Sequence, residues 1–179
     1  LIPIIFLLRF SGEGEIFFYQ ERVGRNGKVF KLFKFATMVK DSPNIGPGTI
    51  TIKNDPRVLP VGKFLRKTKI NELPQLLNIL IGDMSIIGPR PMTQENFVLY
   101  SPKTQEILKK VRPGLSGIGS IVFRREEEIM DDVSTSKEFY KNIISPYKGS
   151  LEEWFALNKS LKIYFLAIFI TLLAVVFPK

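Results

Sequence analysis

GKFLRKTKINELPQLLNILIGDMSIIGPRP, residues 62–91, is the stretch whose reading decides the fold. Lys63, Arg66, Lys67 and Lys69 lead up to Asn71, whose side-chain oxygen suits the free backbone N–H groups of a helix start. Glu72 and Pro74 would then occupy the first turn, where an acid complements the helix dipole and a proline loses no hydrogen bond. Leu73, Leu76, Leu77 and Leu80 recur at helical spacing, which predicts an amphipathic helix from Asn71 to about Ile81 with those leucines buried and Gly82 as its stop. Beyond it, Gly88-Pro89-Arg90-Pro91 fixes two φ angles and keeps Gly88 and Arg90 extended. The Arg90 guanidinium is thereby carried on a stiff support suited to bidentate phosphate recognition. A capped helix with a solvated basic approach, and a structural turn with a surface arginine, are the plainer accounts of these pieces taken singly. Their concentration in thirty residues makes the segment the active-site candidate.

This run, with QERVG at 20–24, KFATM at 34–38 and KVRPGLSG at 110–117, resembles the bacterial sugar transferase family, the monotopic phosphoglycosyl transferases. The resemblance extends from about Phe17 to Lys162. It implies transfer of a sugar-1-phosphate from a UDP-sugar to undecaprenyl phosphate, with release of UMP and assistance from Mg²⁺. The setting it implies is the cytoplasmic face of the bacterial plasma membrane, at the first step of polysaccharide or glycoconjugate synthesis. The family carries an Asp-Glu pair where this chain has Asn71-Glu72, so the departure falls on the residue the family uses as its nucleophile. By the same resemblance Glu72 is the catalytic acid and metal ligand, Arg66 and Arg90 bind donor phosphate, Arg112 is a weaker contact, and Asp83 is a candidate supporting carboxylate. Lys34 is counted with the phosphate-binding residues, while a basic residue usual in the family is replaced by Ala36. A homologue that binds UDP-sugar or lipid phosphate with impaired turnover is the alternative that Asn71 keeps open.

Composition narrows the chemistry further. The 179 residues suit one domain, and 26 Lys+Arg against 17 Asp+Glu give a net charge of +9, which calls for an anionic partner. With neither cysteine nor histidine, disulfides, thiolate catalysis, Cys/His zinc sites and imidazole acid–base chemistry are excluded. Expected partners are a UDP-sugar, undecaprenyl phosphate and membrane lipids, with a homodimer admitted. Nucleic acid is not expected, because no helix-turn-helix or basic stacking platform appears.

Working outward, residues 1–8, LIPIIFLL, are too short to cross about 30 Å of hydrocarbon. The resemblance makes residues 1–10 the remnant of a re-entrant membrane helix bent at Pro3; a buried strand or signal-peptide remnant is the other reading. Residues 11–160 form the catalytic domain. Glu15–Gln20 and Val29–Phe35 read as the strands of a hairpin turned at Asn26-Gly27, gathering Arg22, Arg25 and Lys34. Residues 41–57 read as a loop with a short strand at Thr49–Ile52, Ser101 to Lys110 as a charged helix, and Arg124-Arg125 with Glu126–Glu128 as an exposed helix start. Gly114, Gly117 and Gly119 permit close backbone approach, but neither GxGxxG nor a P-loop is present. Residues 161–179 are the hydrophobic membrane-associated helix. Its uncharged core, Ile163 to Phe177, would reach only about 23 Å, with Trp154, Tyr164, Lys159, Lys162 and Lys179 suited to an interface. A helix buried in a soluble core and a short span are its alternatives. The fold class expected is α+β: a small antiparallel hairpin, several helices, and apolar membrane-associated helices at both ends.

Overall fold

Alternation of apolar and polar residues in the hairpin has its expected result. β1 (Phe17–Val23) pairs antiparallel with β2 (Val29–Phe35), Phe17 opposite Phe35 and Val23 opposite Val29. Asn26 and Gly27 make the turn with φ of 59° and 73°, the left-handed backbone that Asn-Gly tolerates. The computed structural model describes residues 2–11, 13–46, 48, 51–124 and 138–177. Phe30, Leu32 and Phe35 point into the core from β2.

Around the hairpin, α1 (Ile2–Arg9) seats Leu8 against Phe35 and Leu65, leaving Ile2, Phe6 and Phe10 exposed. The basic approach to Asn71 is itself helical: α2 (Pro60–Lys67) starts on Pro60 and buries Leu65. A single turn of 3₁₀ helix (Ile70–Glu72) follows, then α3 (Gln75–Leu80), with Gly82 at φ 89° ending it as expected. β3 (Ser85–Ile87) pairs in parallel with β4 (Gly114–Ser116), a second two-stranded sheet that the sequence reading did not anticipate. The crossover between them carries α4 (Gln94–Phe97), capped by Thr93, and α5 (Pro102–Lys109), capped by Ser101. Next come α6 (Ile118–Val122), a π-helical turn (Tyr140–Ile144) running into α7 (Ser145–Asn158), and α8 (Leu161–Val176). Val23, Met92, Phe97, Tyr100, Leu108, Tyr140 and Ile144 form the largest apolar cluster.

The expected α+β class with its hairpin holds, but the helix predicted from Asn71 to Ile81 is corrected in both start and orientation. Asn71 does not cap it; the residue lies in the 3₁₀ turn, and Lys69 before it adopts a left-handed φ of 60°. Leu73, Leu76, Leu77 and Leu80 are 38, 47, 52 and 81% exposed, whereas Gln75 and Asn78 are buried at 3 and 0%. The cause is the free edge of β2, whose backbone groups need partners. Asn78 accepts from the Phe33 N–H at 3.0 Å and donates to the Lys31 carbonyl at 2.8 Å, as a further strand would. Satisfying that edge outweighs hiding the leucines.

Thr49 and Ile50 of the expected short strand, and Arg125 with Glu126–Glu128, lie outside the described residues; Thr51 and Ile52 are in no strand. The loop is fastened by Arg57, which donates to the carbonyls of Ser42, Ile45 and Gly48 at 2.7, 2.9 and 2.7 Å and pairs with Asp55 at 2.6 Å. α8 spans sixteen residues, and among the described residues no helix is long and apolar enough to cross a membrane.

Candidate active site

Four segments converge on Glu72. The 3₁₀ turn presents its carboxylate, β2 brings Lys34, β1 brings Arg22, and the Gly88–Pro91 turn brings Arg90. Backbone pairing with the second sheet fixes that turn: the Gly88 N–H donates to Ser116 at 2.9 Å and the Gly114 N–H to Pro89 at 2.8 Å. A Cβ on Gly114 would stand 2.1 Å from the Gly88 nitrogen, so a side chain there would break the support.

Glu72 Oε1 lies 3.8 Å from Lys34 Nζ and 3.7 Å from Arg90 Nη2, and its side chain is 15% exposed. These are ion-pair separations longer than hydrogen bonds, so the carboxylate sits in a field of positive charge rather than in one closed pair. Burial alone would raise the Glu72 pKa, but Lys34, Arg90, Lys69 and Arg66 more than offset it and hold the carboxyl below its usual range. Lys34 is pushed down to about 7 by burial, against the pull of Glu72 and with help from Arg90, Arg22 and Arg66. Arg22 donates to the Pro91 carbonyl at 3.0 Å and to Gln20 Oε1, and burial followed by Arg90 lowers it to about 10. Arg22, Leu32, Lys34, Glu72, Gln75, Arg90, Pro91 and Leu115 line one pocket. Asn71 is buried, and its Oδ1 has no hydrogen-bond partner among the described residues.

Of the residues singled out in the sequence, Glu72, Lys34 and Arg90 thus come together, whereas Asn71, next to Glu72 in the chain, is buried and not in the pocket lining. Arg66 is half-buried, donates to Thr51 Oγ1 at 3.2 Å and contributes its charge to Glu72 and Lys34. Arg112 is exposed and is not among the charges acting on Glu72 or Lys34; its backbone carbonyl lies against Gly88. Asp83 closes α3, donating its N–H to the Asn78 carbonyl at 2.9 Å, and has a helix-ending role. Arg22 was placed with Lys34 by the hairpin register, yet its place in the site follows only from Pro91 reaching its guanidinium. Lys69 was read only as part of the basic approach to Asn71, and Gln75 escaped notice, because an inward glutamine leaves no periodic signal.

The bacterial sugar transferase family model matches residues 1–177. The chain belongs to this family. It is 37% identical over 150 residues to the exopolysaccharide production protein ExoY of Sinorhizobium fredii, covering 76% of this chain and 66% of that protein. To the undecaprenyl-phosphate galactose phosphotransferase of Salmonella typhimurium it is 34% identical over 143 residues, covering 72% of this chain and 30% of the relative. To the UDP-glucose:undecaprenyl-phosphate glucose-1-phosphate transferase of Escherichia coli it is 35% identical over 176 residues, covering 94 and 35%. The chain therefore spans just under two thirds of the first of these relatives and about a third of the other two.

Proposed function

We propose that the chain transfers a sugar-1-phosphate from a UDP-sugar to undecaprenyl phosphate at the cytoplasmic face of the bacterial plasma membrane, releasing UMP. The observation that carries this reading is one acid, Glu72, facing a pocket under the charge of several cations, Lys34 and Arg90 nearest and Arg66 and Lys69 beyond. Such a field suits a diphosphate, whose charge grows on the departing phosphate as the bond breaks. An amide at Asn71 is no nucleophile, and Asn71 is buried while Glu72 lines the pocket. Glu72 is then the attacking group: a carboxylate oxygen bonds to the sugar-bearing phosphorus, and the bond to UMP breaks with its electron pair leaving on UMP. An oxygen of the acceptor phosphate next attacks that phosphorus and returns the carboxylate.

Among the described residues no group of three or more His, Cys, Asp or Glu side chains converges. Mg²⁺ needs only one or two protein ligands when phosphate oxygens and water supply the rest, so Glu72, which lines the pocket, fits it as a single ligand. When bound it would neutralise diphosphate charge.

Leu73, Leu76, Leu77, Leu80 and Ile81 follow Glu72 in the chain and are exposed, and Phe64 is exposed on α2 between the exposed Lys63 and Lys67. An apolar face fringed with cations suits the lipid interface from which a polyprenyl phosphate arrives, and α1 and α8 add apolar surface of the same kind. The helices on this reading lie in the interface. UMP release from a panel of UDP-sugars with undecaprenyl phosphate and Mg²⁺ tests the proposal. The natural chain should release UMP, and Glu72→Gln should abolish release while donor binding persists. Release absent in the natural chain and gained in Asn71→Asp would establish the binding-homologue reading instead.

A further inference from the structure

One buried acid takes no part in the site just described. Glu152, on α7, is 1% exposed, and its Oε1 accepts the Arg90 backbone N–H at 3.2 Å. Room for it is made by glycine: a Cβ on Gly119 would stand 2.4 Å from Oε1, and one on Gly117 3.5 Å from Oε2. Oε2 has no hydrogen-bond partner among the described residues. A carboxylate buried at this cost has to be compensated by hydrogen bonds, and its donors are the Gly119 N–H and the N–H of the peptide that carries the Arg90 guanidinium.

We propose that Glu152 is a positioning residue, its carboxylate fixing the Arg90 peptide and through it the reach of the Arg90 guanidinium into the pocket. The proposal rests on the donor-site reading of Arg90. The ionised form makes the stronger hydrogen bond, so the clamp depends on pH. Burial raises Glu152 to about 7, opposed by the Arg90 N–H, by Lys148 and Arg90 charge and by the Gly119 N–H. The charged groups facing it are Arg90 from the turn and Lys148 from its own helix, the latter buried and 5.6 Å above the Phe123 ring. α6 carries no titratable side chain, and α5 sends Lys103 to Glu153 at 2.9 Å. Tyr140, in the π-helical turn, acts on Arg22, and α8 meets α7 at Phe155 through Ile163, Tyr164 and Ala167.

The test measures UDP affinity of the full chain between about pH 6 and about pH 8, for the natural protein, Glu152→Gln and Arg90→Ala. The ratio of the natural chain to Glu152→Gln cancels the titration of Lys34; Arg90→Ala removes a charge that lowers Lys34, so the natural chain and Arg90→Ala are compared with Lys34→Met in both. The natural chain should gain on Glu152→Gln from near parity at the acid end to about tenfold at the alkaline end, the size of one charge-assisted bond. The effect of Glu152→Gln should vanish when Arg90 is already alanine. Should Glu152→Gln not fold, the ratio of natural chain to Arg90→Ala must itself grow through about pH 7. A ratio independent of pH in either pair overturns the proposal. Should the natural chain bind no UDP, the donor reading fails on its own. The clamp is then read from the Arg90 amide resonance, which must titrate near pH 7; an amide insensitive to pH there overturns it.

Discussion

Two acid–base clusters lie within twenty residues of each other in sequence, and they are built on opposite principles. Asp55 and Arg57 are 1 and 4% exposed, meet at 2.6 Å, and spend the guanidinium on loop carbonyls besides the acid. Glu72 stands 3.7–3.8 Å from Lys34 and Arg90 and lines a pocket. Closure distinguishes a staple from a site. The first cluster is closed around one loop, whereas the second gathers several cations around a single acid that lines a pocket.

Removing a staple should cost stability and removing a site residue should cost chemistry. Arg57→Ala strands a buried carboxylate, so denaturant unfolding should show a loss of about 3–5 kcal/mol. Glu72→Gln should change stability by less than about 1 kcal/mol in the same measurement. Equal losses would erase the distinction. Next in size, Arg90→Lys or Arg66→Lys keeps the charge but not the planar fork, and UDP-sugar affinity should fall by about 1–3 kcal/mol by calorimetry. Unchanged affinity in both would remove them from the site.

Lys34 supplies a proton count. Its pKa falls from 10.5 to about 7, so between those values the unfolded chain holds a proton that the folded chain gives up, and stability rises with pH across that window. Donor phosphate favours the charged amine. UDP binding near pH 8 should therefore take up a fraction of a proton, seen as a dependence of binding heat on buffer ionisation, and Lys34→Met should abolish it. Smallest in effect on folding, Leu80→Ser at an 81% exposed position should alter stability by no more than about 0.5 kcal/mol while weakening binding to anionic vesicles. A large stability loss would mean that α3 packs as its sequence pattern suggests.

What the sequence made legible was local. The hairpin follows from alternation and Asn26-Gly27, and α5 from Ser101 followed by Pro102, each settled by neighbouring residues. The orientation of α3 was not, because the unpaired edge that captures Asn78 lies 45 residues away. Nor was the parallel pair of β3 and β4, since strands of three residues carry no period. Among the site residues, Glu72 and Arg90 announced themselves through the family motif. Glu152 did not, because its burial depends on an N–H 62 residues distant and on the absence of side chains at Gly117 and Gly119.

The central claim is that Glu72 does the work of the acid replaced by Asn71. Rapid mixing with a UDP-sugar and Mg²⁺, in the absence of acceptor lipid, addresses it most directly. The natural chain should give a burst of UMP stoichiometric with enzyme, and Glu72→Gln should give none while still binding the donor. A burst that survives Glu72→Gln would contradict the account.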